Sequence, residues 1–385
     1  MNDAALVLNP YAKLVAERSG DSLAAVRVVA PIKGRHVTTT TFFRDDRRTV
    51  TEFLWGLVQG QPDLQPELDE RELGDLVGAG LLVAPDAVPE MPRFSVPLAI
   101  APEGEAALDE SWMVHPDLRA CSTQELPAVF AAGSVVQVPH LATRVSLPVW
   151  LDADTAAALT PGEAPRSLSP RQRSALRRAG VLVSAAEVAA RRASFAELGV
   201  EPRARFAENA YWVVRGLIPG RFADALADHY RRVIAEGFMH FKDQITESVY
   251  STRFVKHQEP VAVHVHGQLA ALVSQIAGKP VKPSYAFVSS YEPGAELARH
   301  VDRAQCEYSL SLQVGYAPDR NLSEAWPIYL DTPAASQVPV SLRVGDALLY
   351  RGRQLPHYRY RLPEGHRSIH IFFHFVDQEF DAPLG

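Results

Sequence analysis

The stretch SYEPGAELARHVDRAQCEYSLSLQVGY, residues 290–316, decides how the C-terminal half of this chain is read. It contains His300-Val301-Asp302. At a strand end, side chains alternate with period two, so residues 300 and 302 point to one face with their Cα atoms roughly 6–7 Å apart. An imidazole nitrogen and a carboxylate oxygen can then converge on one ion, each about 2 Å from it. Two histidines and one carboxylate on one face of a metal leave three coordination positions open. That suits ferrous iron, a bidentate co-substrate and O2. An H-x-D pair alone is a common accident in a chain with 13 histidines, and its surroundings give it weight.

A third ligand is expected from a later strand, and VGDALLYRGRQLPHYRYRLPEGHRSIHIFFHFV (344–376) offers His357. Val344-Gly345-Asp346 reads as a turn into the strand Ala347–Tyr350, and Pro363-Glu364-Gly365 as a second turn. If Leu362 pairs with His366 across that turn, His357 lies opposite Ile371. Arg367 then shares the face of His357, four residues or roughly 13 Å away. An extended arginine spans about half of that distance. The remainder is about the length of a five-carbon dicarboxylate held by the metal at one end, and a guanidinium fork suits the other end. On this register His370 and His374 face away from Arg367 and read as structural. His264 and His266 form an H-x-H pair without an evident third ligand and read the same way.

Taken together, Tyr291-x-x-Gly294-x(5)-His300-x-Asp302, Gly345-Asp346-Ala347-Leu348-Leu349, His357 and Arg367 ten residues later resemble the prolyl-4-hydroxylase-like branch of the iron(II)/2-oxoglutarate dioxygenase superfamily. The resemblance covers about residues 284–376. It implies a double-stranded β-helix, iron(II) held by His300, Asp302 and His357, and 2-oxoglutarate and O2 as co-substrates. It also implies that Arg367 holds the distal carboxylate of 2-oxoglutarate. Tyr291 inherits a 2-oxoglutarate contact or is a barrel-core aromatic; Tyr316 stands at a position that serves the same carboxylate in some members or is structural. Related halogenases carry a small residue in place of the carboxylate ligand, so Asp302 favours hydroxylation or desaturation. The chain departs from the pattern in the loop DRAQCEYS, which brings Arg303 and Cys306 near the metal. It departs again in the basic run RGRQLPHYRYR, where Arg351, Arg353 and Arg359 read as a solvated face or as a bias toward an acidic substrate.

Upstream, AYWVVRGLI (210–218) reads as a strand, RFADALADHYRRVIAEG (221–237) as an amphipathic helix and VHGQLAALVSQIAG (265–278) as a second helix. Helices first and antiparallel strands after suggest a jelly roll with a helical flank.

The N-terminal half is self-similar. LVGAGLLVAPDAVP (76–89) recurs as LRRAGVLVSAAEVA (176–189), with Gly80 and Gly180 where a helix C-cap glycine belongs. TFFRDDRRTVTEFLWGLVQG (41–60) and RVSLPVWLDADTAAALTPG (144–162) share a strand–turn–helix outline. Through RRTVTEFLW…ELGDLVGAGLLV, the first copy weakly resembles the winged-helix peptide-recognition elements of ribosomal-peptide biosynthesis. In the second, Pro161, Pro165 and Pro170 are expected to interrupt the middle helices.

The expected fold class is therefore α+β: a C-terminal double-stranded β-helix (jelly roll) with flanking helices, preceded by two small winged-helix-like α/β units. The boundaries fall at 1–95, 96–205 and 206–385. At 385 residues the chain has room for several cores. A net charge of -6 gives no reason to expect nucleic acid or an anionic membrane as partner. No signal peptide or membrane-length apolar run is evident, and with two cysteines, Cys121 and Cys306, the chain reads as cytoplasmic. The function expected is an iron(II)/2-oxoglutarate oxygenase acting on a C–H bond of a peptide or amino-acid-like substrate, with a free small molecule close behind. Two readings compete: a cupin-type jelly-roll isomerase that ignores 2-oxoglutarate, and a peptide-binding or regulatory protein whose jelly-roll domain is catalytically silent.

Overall fold

The computed structural model describes residues 6–9, 11–20, 22–32, 37–58, 68–87, 112–120, 134–139, 146–151, 153–178, 180–189, 200–218, 220–246, 249–318 and 326–384. It is a mixed α and β structure whose sheets are antiparallel. Contacts group Met1–Met91, Leu126–Ala131 and Tyr230–His240 as one compact unit and the remainder as a second.

In the first unit, β1 (Val7–Leu8) precedes a three-stranded meander of β2 (Lys13–Ser19), β3 (Ser22–Ala30) and β4 (Thr38–Phe43). Helices α1 (Arg48–Val58) and α2 (Glu70–Gly78) follow, and β5 (Leu82–Val83) returns to pair with β1. Apolar residues of β3 and both helices close one core, with Val26, Val28, Val50, Leu54 and Leu76 fully buried.

The second unit begins with the same succession. Strand β6 (Trp112–Val114) precedes a meander of β7 (Arg119–Ala120), β8 (Ser134–Pro139) and β9 (Ser146–Leu151). Helices α3 (Ala153–Ala157) and α4 (Pro170–Arg178) come next, and β10 (Leu182–Ser184) pairs with β6. The agreement extends to single hydrogen bonds. Asp69 and Glu72 cap α2 reciprocally, and Ser169 and Gln172 stand at the same positions of α4, one hundred residues on. After each helix comes a left-handed glycine, Gly80 at φ 73° and Gly180 at φ 76°, and the next residue (Leu81 or Val181) bonds back to Leu76 or Leu176. Asn9 N–H bonds to Leu81 O while its side chain receives Tyr11 N–H; His115 N–H bonds to Val181 O while its ring nitrogen receives Asp117 N–H. The duplication seen in the sequence is therefore a repeat of topology and capping chemistry. Pro170 does not interrupt a helix as expected: it is the first residue of α4, where proline's missing N–H has no partner to lose.

The rest of the second unit carries the large sheet. Helix α5 (Val200–Asn209) leads into β11 (Tyr211–Val214), and α6 (Gly220–Ala235) starts in this unit and ends in the first. Strands β12 (His240–Thr246) and β13 (Val249–His257) precede α7 (Pro260–Ala277), which Glu259 caps at its start and Gly278 at its end. Then come β14 (Val281–Tyr291), β15 (Glu296–His300), β16 (Tyr308–Ala317), β17 (Ile328–Leu330), β18 (Val338–Val340), β19 (Ala347–Tyr350), β20 (His357–Arg359) and β21 (Arg367–Asp377). Their order is β11-β19-β16-β21-β14-β13-β15-β20-β17-β18, with β12 also on β13.

Strand β21 runs between β14 and β16 and is buried on both faces. Its odd residues Phe373 and Phe375 pack on His266 of α7. Its even residues Ser368, His370 and His374 form a polar inner face with Ser289 and Tyr291 of β14 and Ser309 and Gln313 of β16 in register beside them. The expected hairpin between the last two strands does not form. Leu362 exchanges backbone bonds with Gly294 and Ala295, so β20 pairs with β15 and β17 while β21 inserts elsewhere in the sheet. His357 consequently sits opposite His300, not Ile371.

Candidate metal centre

His300 ends β15, Asp302 follows two residues later, and His357 opens β20 as the cross-strand partner of His300. That register brings the two imidazoles to a ring separation of 4.3 Å. Asp302 is fixed by its N–H, which donates to Gly352 O at 2.8 Å. His300 Nε2 and His357 Nε2 lie 3.8 and 3.6 Å from Asp302 Oδ1, and one ligand atom from each residue falls within 4.8 Å of the others.

The other ring nitrogens fix the tautomers. His300 Nδ1 lies 2.8 Å from Ala298 O and His357 Nδ1 lies 2.9 Å from Leu355 O. A carbonyl only accepts, so Nδ1 carries the proton and, in the neutral ring, Nε2 is bare. Burial holds His357 in that neutral form, pushing its pKa down to about 4 against the pull of Asp302. Two bare nitrogens and a carboxylate oxygen thus face one another. A divalent cation is the group that satisfies all three, and two imidazoles with one carboxylate are the donor set of a facial iron(II) site. The Tyr350 hydroxyl, buried and 3.4 Å from His357 Nε2, closes one side.

A chain of hydrogen bonds orients the carboxylate. Asp302 Oδ2 accepts from Ser309 Oγ at 2.7 Å, and Ser309 Oγ lies 3.0 Å from His374 Nδ1. Because the serine proton goes to the carboxylate, the neutral His374 donates Nδ1–H to the serine oxygen. Burial pushes the His374 pKa down to about 3. Ser309 thereby turns Oδ2 away and presents Oδ1 to the two histidines. Gly352 packs so closely that an added Cβ would stand 2.2 Å from Asp302 Oδ2. Asp302, Cys306 and His374 form a second close group, but burial pushes the Cys306 thiol up to about 11. Its Sγ lies 3.0 Å from the Tyr285 hydroxyl, whose ring carries the Arg303 guanidinium at 4.6 Å.

The remaining expected site residues are dispersed. Tyr291 is buried in the interior, its hydroxyl receiving Arg253 Nη1 at 3.1 Å and its ring meeting Trp326 and His370. The Tyr316 hydroxyl bonds to His366 Nδ1 at 2.7 Å. Arg367 is not on the face of His357: its side chain is 65% exposed and its Nε pairs with Glu292 at 2.7 Å. The expectation that it shares the face of His357 is corrected because β21 does not pair with β20. Three residues set aside in the sequence belong to the interior instead. His370 and His374 lie on the inner face of β21, and Arg359, two residues after His357, is 4% exposed. The guanidinium of Arg359 lies 4.6 Å over the Trp326 ring and donates Nη1–H to Trp326 O. Burial pushes its pKa down to about 10, so it remains cationic at neutral pH. The even spacing of His357-Tyr358-Arg359 and the polar alternation at 368, 370 and 374 were the available signals.

No protein-family model matches the sequence. No curated protein matches it either. Among solved structures it is similar to the non-haem α-ketoglutarate-dependent epimerase SnoN of nogalamycin biosynthesis (15% identity over 47% of this chain and 84% of that one, TM-score 0.40). It is also similar to a Pseudomonas putida prolyl-4-hydroxylase (16%, 46% and 98%, TM-score 0.38). HygX of Streptomyces hygroscopicus, solved with nickel and 2-oxoglutarate, is a third (12%, 47% and 88%, TM-score 0.36). Each match spans less than half of this chain.

Proposed function

We propose that residues 206–385 are a double-stranded β-helix oxygenase domain in which His300, Asp302 and His357 bind iron(II), with 2-oxoglutarate and O2 as co-substrates. The reaction is hydroxylation or desaturation of a C–H bond in a peptide or amino-acid-like substrate of a biosynthetic pathway. The observation that carries this reading is the tautomer-fixed triad: two bare Nε2 atoms and one carboxylate oxygen within 4.8 Å, on strands paired through His300 and His357. When bound, the iron and 2-oxoglutarate would supply the oxidising chemistry: one oxygen atom of O2 would end in succinate, formed with CO2, and the other in the hydroxylated product or, in a desaturation, in water. The protein's own part is to hold three ligands on one side, orient Asp302 through Ser309, and place the buried Tyr350 hydroxyl beside His357.

Residues 1–95 and 96–205 are proposed as tandem winged-helix-like units, related by duplication, that recognise the substrate. Their shared topology and shared caps support the duplication. The enzymatic reading is tested by incubating the full-length protein with iron(II), 2-oxoglutarate and O2 and measuring succinate, with His300→Ala alongside. Slow substrate-independent succinate formation that His300→Ala removes is expected. Equal succinate from both proteins would remove the triad from the reaction.

A further inference from the structure

We infer that Arg359, not Arg367, holds the distal carboxylate of 2-oxoglutarate; the inference rests on the oxygenase reading given above. Strand β20 carries His357 and Arg359 two residues apart, so both side chains leave the same face and their Cα atoms are separated by about 6.6 Å. A ligand chelated beside His357 and extending along the strand meets the guanidinium after a short carbon chain. The guanidinium charge acts on His357 and on Tyr350, whose hydroxyl lies 3.4 Å from His357 Nε2, and also on Tyr316 and His370. The far side is closed by Tyr291, Trp326 and His370, whose rings touch one another at centroid distances of 4.9–6.3 Å.

A buried arginine is nearly always paired with an anion. Among the described residues Arg359 has no carboxylate partner: Trp326 supplies its one hydrogen-bond acceptor and its one ring contact. A guanidinium offers five N–H donors in a planar fork, so most of them stay open to a planar carboxylate. Arg367, by contrast, already has its charge matched by Glu292 and lies in solvent.

The test is calorimetric titration of the full-length protein, loaded with redox-silent manganese(II), with 2-oxoglutarate and separately with 2-oxobutyrate. The second acid keeps the chelating end and lacks the distal carboxylate. The wild type should prefer 2-oxoglutarate by about 10- to 100-fold, the worth of a charge-assisted fork. Arg359→Met should erase that preference while binding 2-oxobutyrate as the wild type does, which also reports that fold and metal are intact. Arg359→Gln, which keeps a donor for Trp326 O, should erase it as well and serves if the methionine variant does not fold. Arg367→Met should keep the preference. Retention of the preference in either Arg359 variant, or its loss in Arg367→Met, overturns the assignment while the oxygenase reading stands. A manganese-loaded wild type that binds neither acid overturns the oxygenase reading, and this assignment with it.

Discussion

Replacing Gly352 by alanine places one methyl group against the carboxylate of Asp302. An ideal Cβ there stands 2.2 Å from Asp302 Oδ2, 2.6 Å from Cys306 O and 2.7 Å from Ser309 Oγ, and ordinary contact begins only near 3.4 Å. The Asp302 carboxylate must retreat by more than an ångström. It cannot do so alone, because Ser309 holds the same oxygen at 2.7 Å and the Asp302 N–H is bonded to Gly352 O. One of the three blocking atoms is backbone, so side-chain rotation does not relieve the overlap. Overpacking of this kind costs about 1–3 kcal/mol of stability. The larger effect falls on the metal. Disturbing an outer partner of a ligand costs about 10–100-fold in affinity, and here the ligand itself is displaced. Gly352→Ala should therefore bind manganese(II) at least about 10-fold more weakly by calorimetry, with an unfolding midpoint a few degrees lower in the metal-free protein. An alanine variant with wild-type manganese affinity and an unchanged midpoint would refute the placement of Asp302 against Gly352.

Ser309→Ala leaves Asp302 Oδ2 and His374 Nδ1–H without their shared hydroxyl and should weaken manganese binding about 10–100-fold with little change in fold; wild-type affinity would mean that Ser309 does not orient the carboxylate. His266 donates Nε2–H to His374 O and is pushed by burial down to about 4, whereas an unfolded histidine titrates near 6.5. Its folded value is the depressed one, so the unfolded chain takes up the proton first. Stability is then complete above about pH 6.5 and is lost as pH falls toward 4, by up to about 3 kcal/mol; denaturant titrations should show this slope in the wild type and a shallower one in His266→Gln. Gly80→Ala should destabilise by about 1–2 kcal/mol, because φ is +73° and the new Cβ meets Ile32 Cδ1 at 2.8 Å. Gly180→Ala, at φ +76°, should cost at least the backbone share of that, and a cost-free substitution at either glycine would break the equivalence of the two units.

Local periodicity made the convergence of His300, Asp302 and His357 legible. An H-x-D at a strand end brings residues 300 and 302 together, and a histidine opening a later strand supplies the third donor. The repeat was legible for a similar reason, since the glycine at a helix C-terminus and the apolar positions around it recur a hundred residues apart. What sequence reading missed was long-range pairing. A Pro-Glu-Gly turn between two strands looks like a hairpin, yet the backbone of Leu362 is taken by Gly294 and Ala295, and β21 enters between β14 and β16. One wrong pairing moved three assignments: Arg367 went from the surface to the site, and His370 and His374 went from the inner face to the outer one. Arg359 was grouped with solvated arginines because charged residues are rarely buried. Its place two residues after His357 on a short strand was the contrary signal. Cys121 lies outside the described residues.

The proposed function requires that His300, Asp302 and His357 form an iron site that accepts 2-oxoglutarate. Anaerobic titration of the metal-free protein with iron(II) and then 2-oxoglutarate, followed by visible absorption, decides this. A weak visible charge-transfer band that saturates with 2-oxoglutarate and is absent from Asp302→Ala is the expected result. Iron bound equally by wild type and Asp302→Ala, with no band from either, would contradict it.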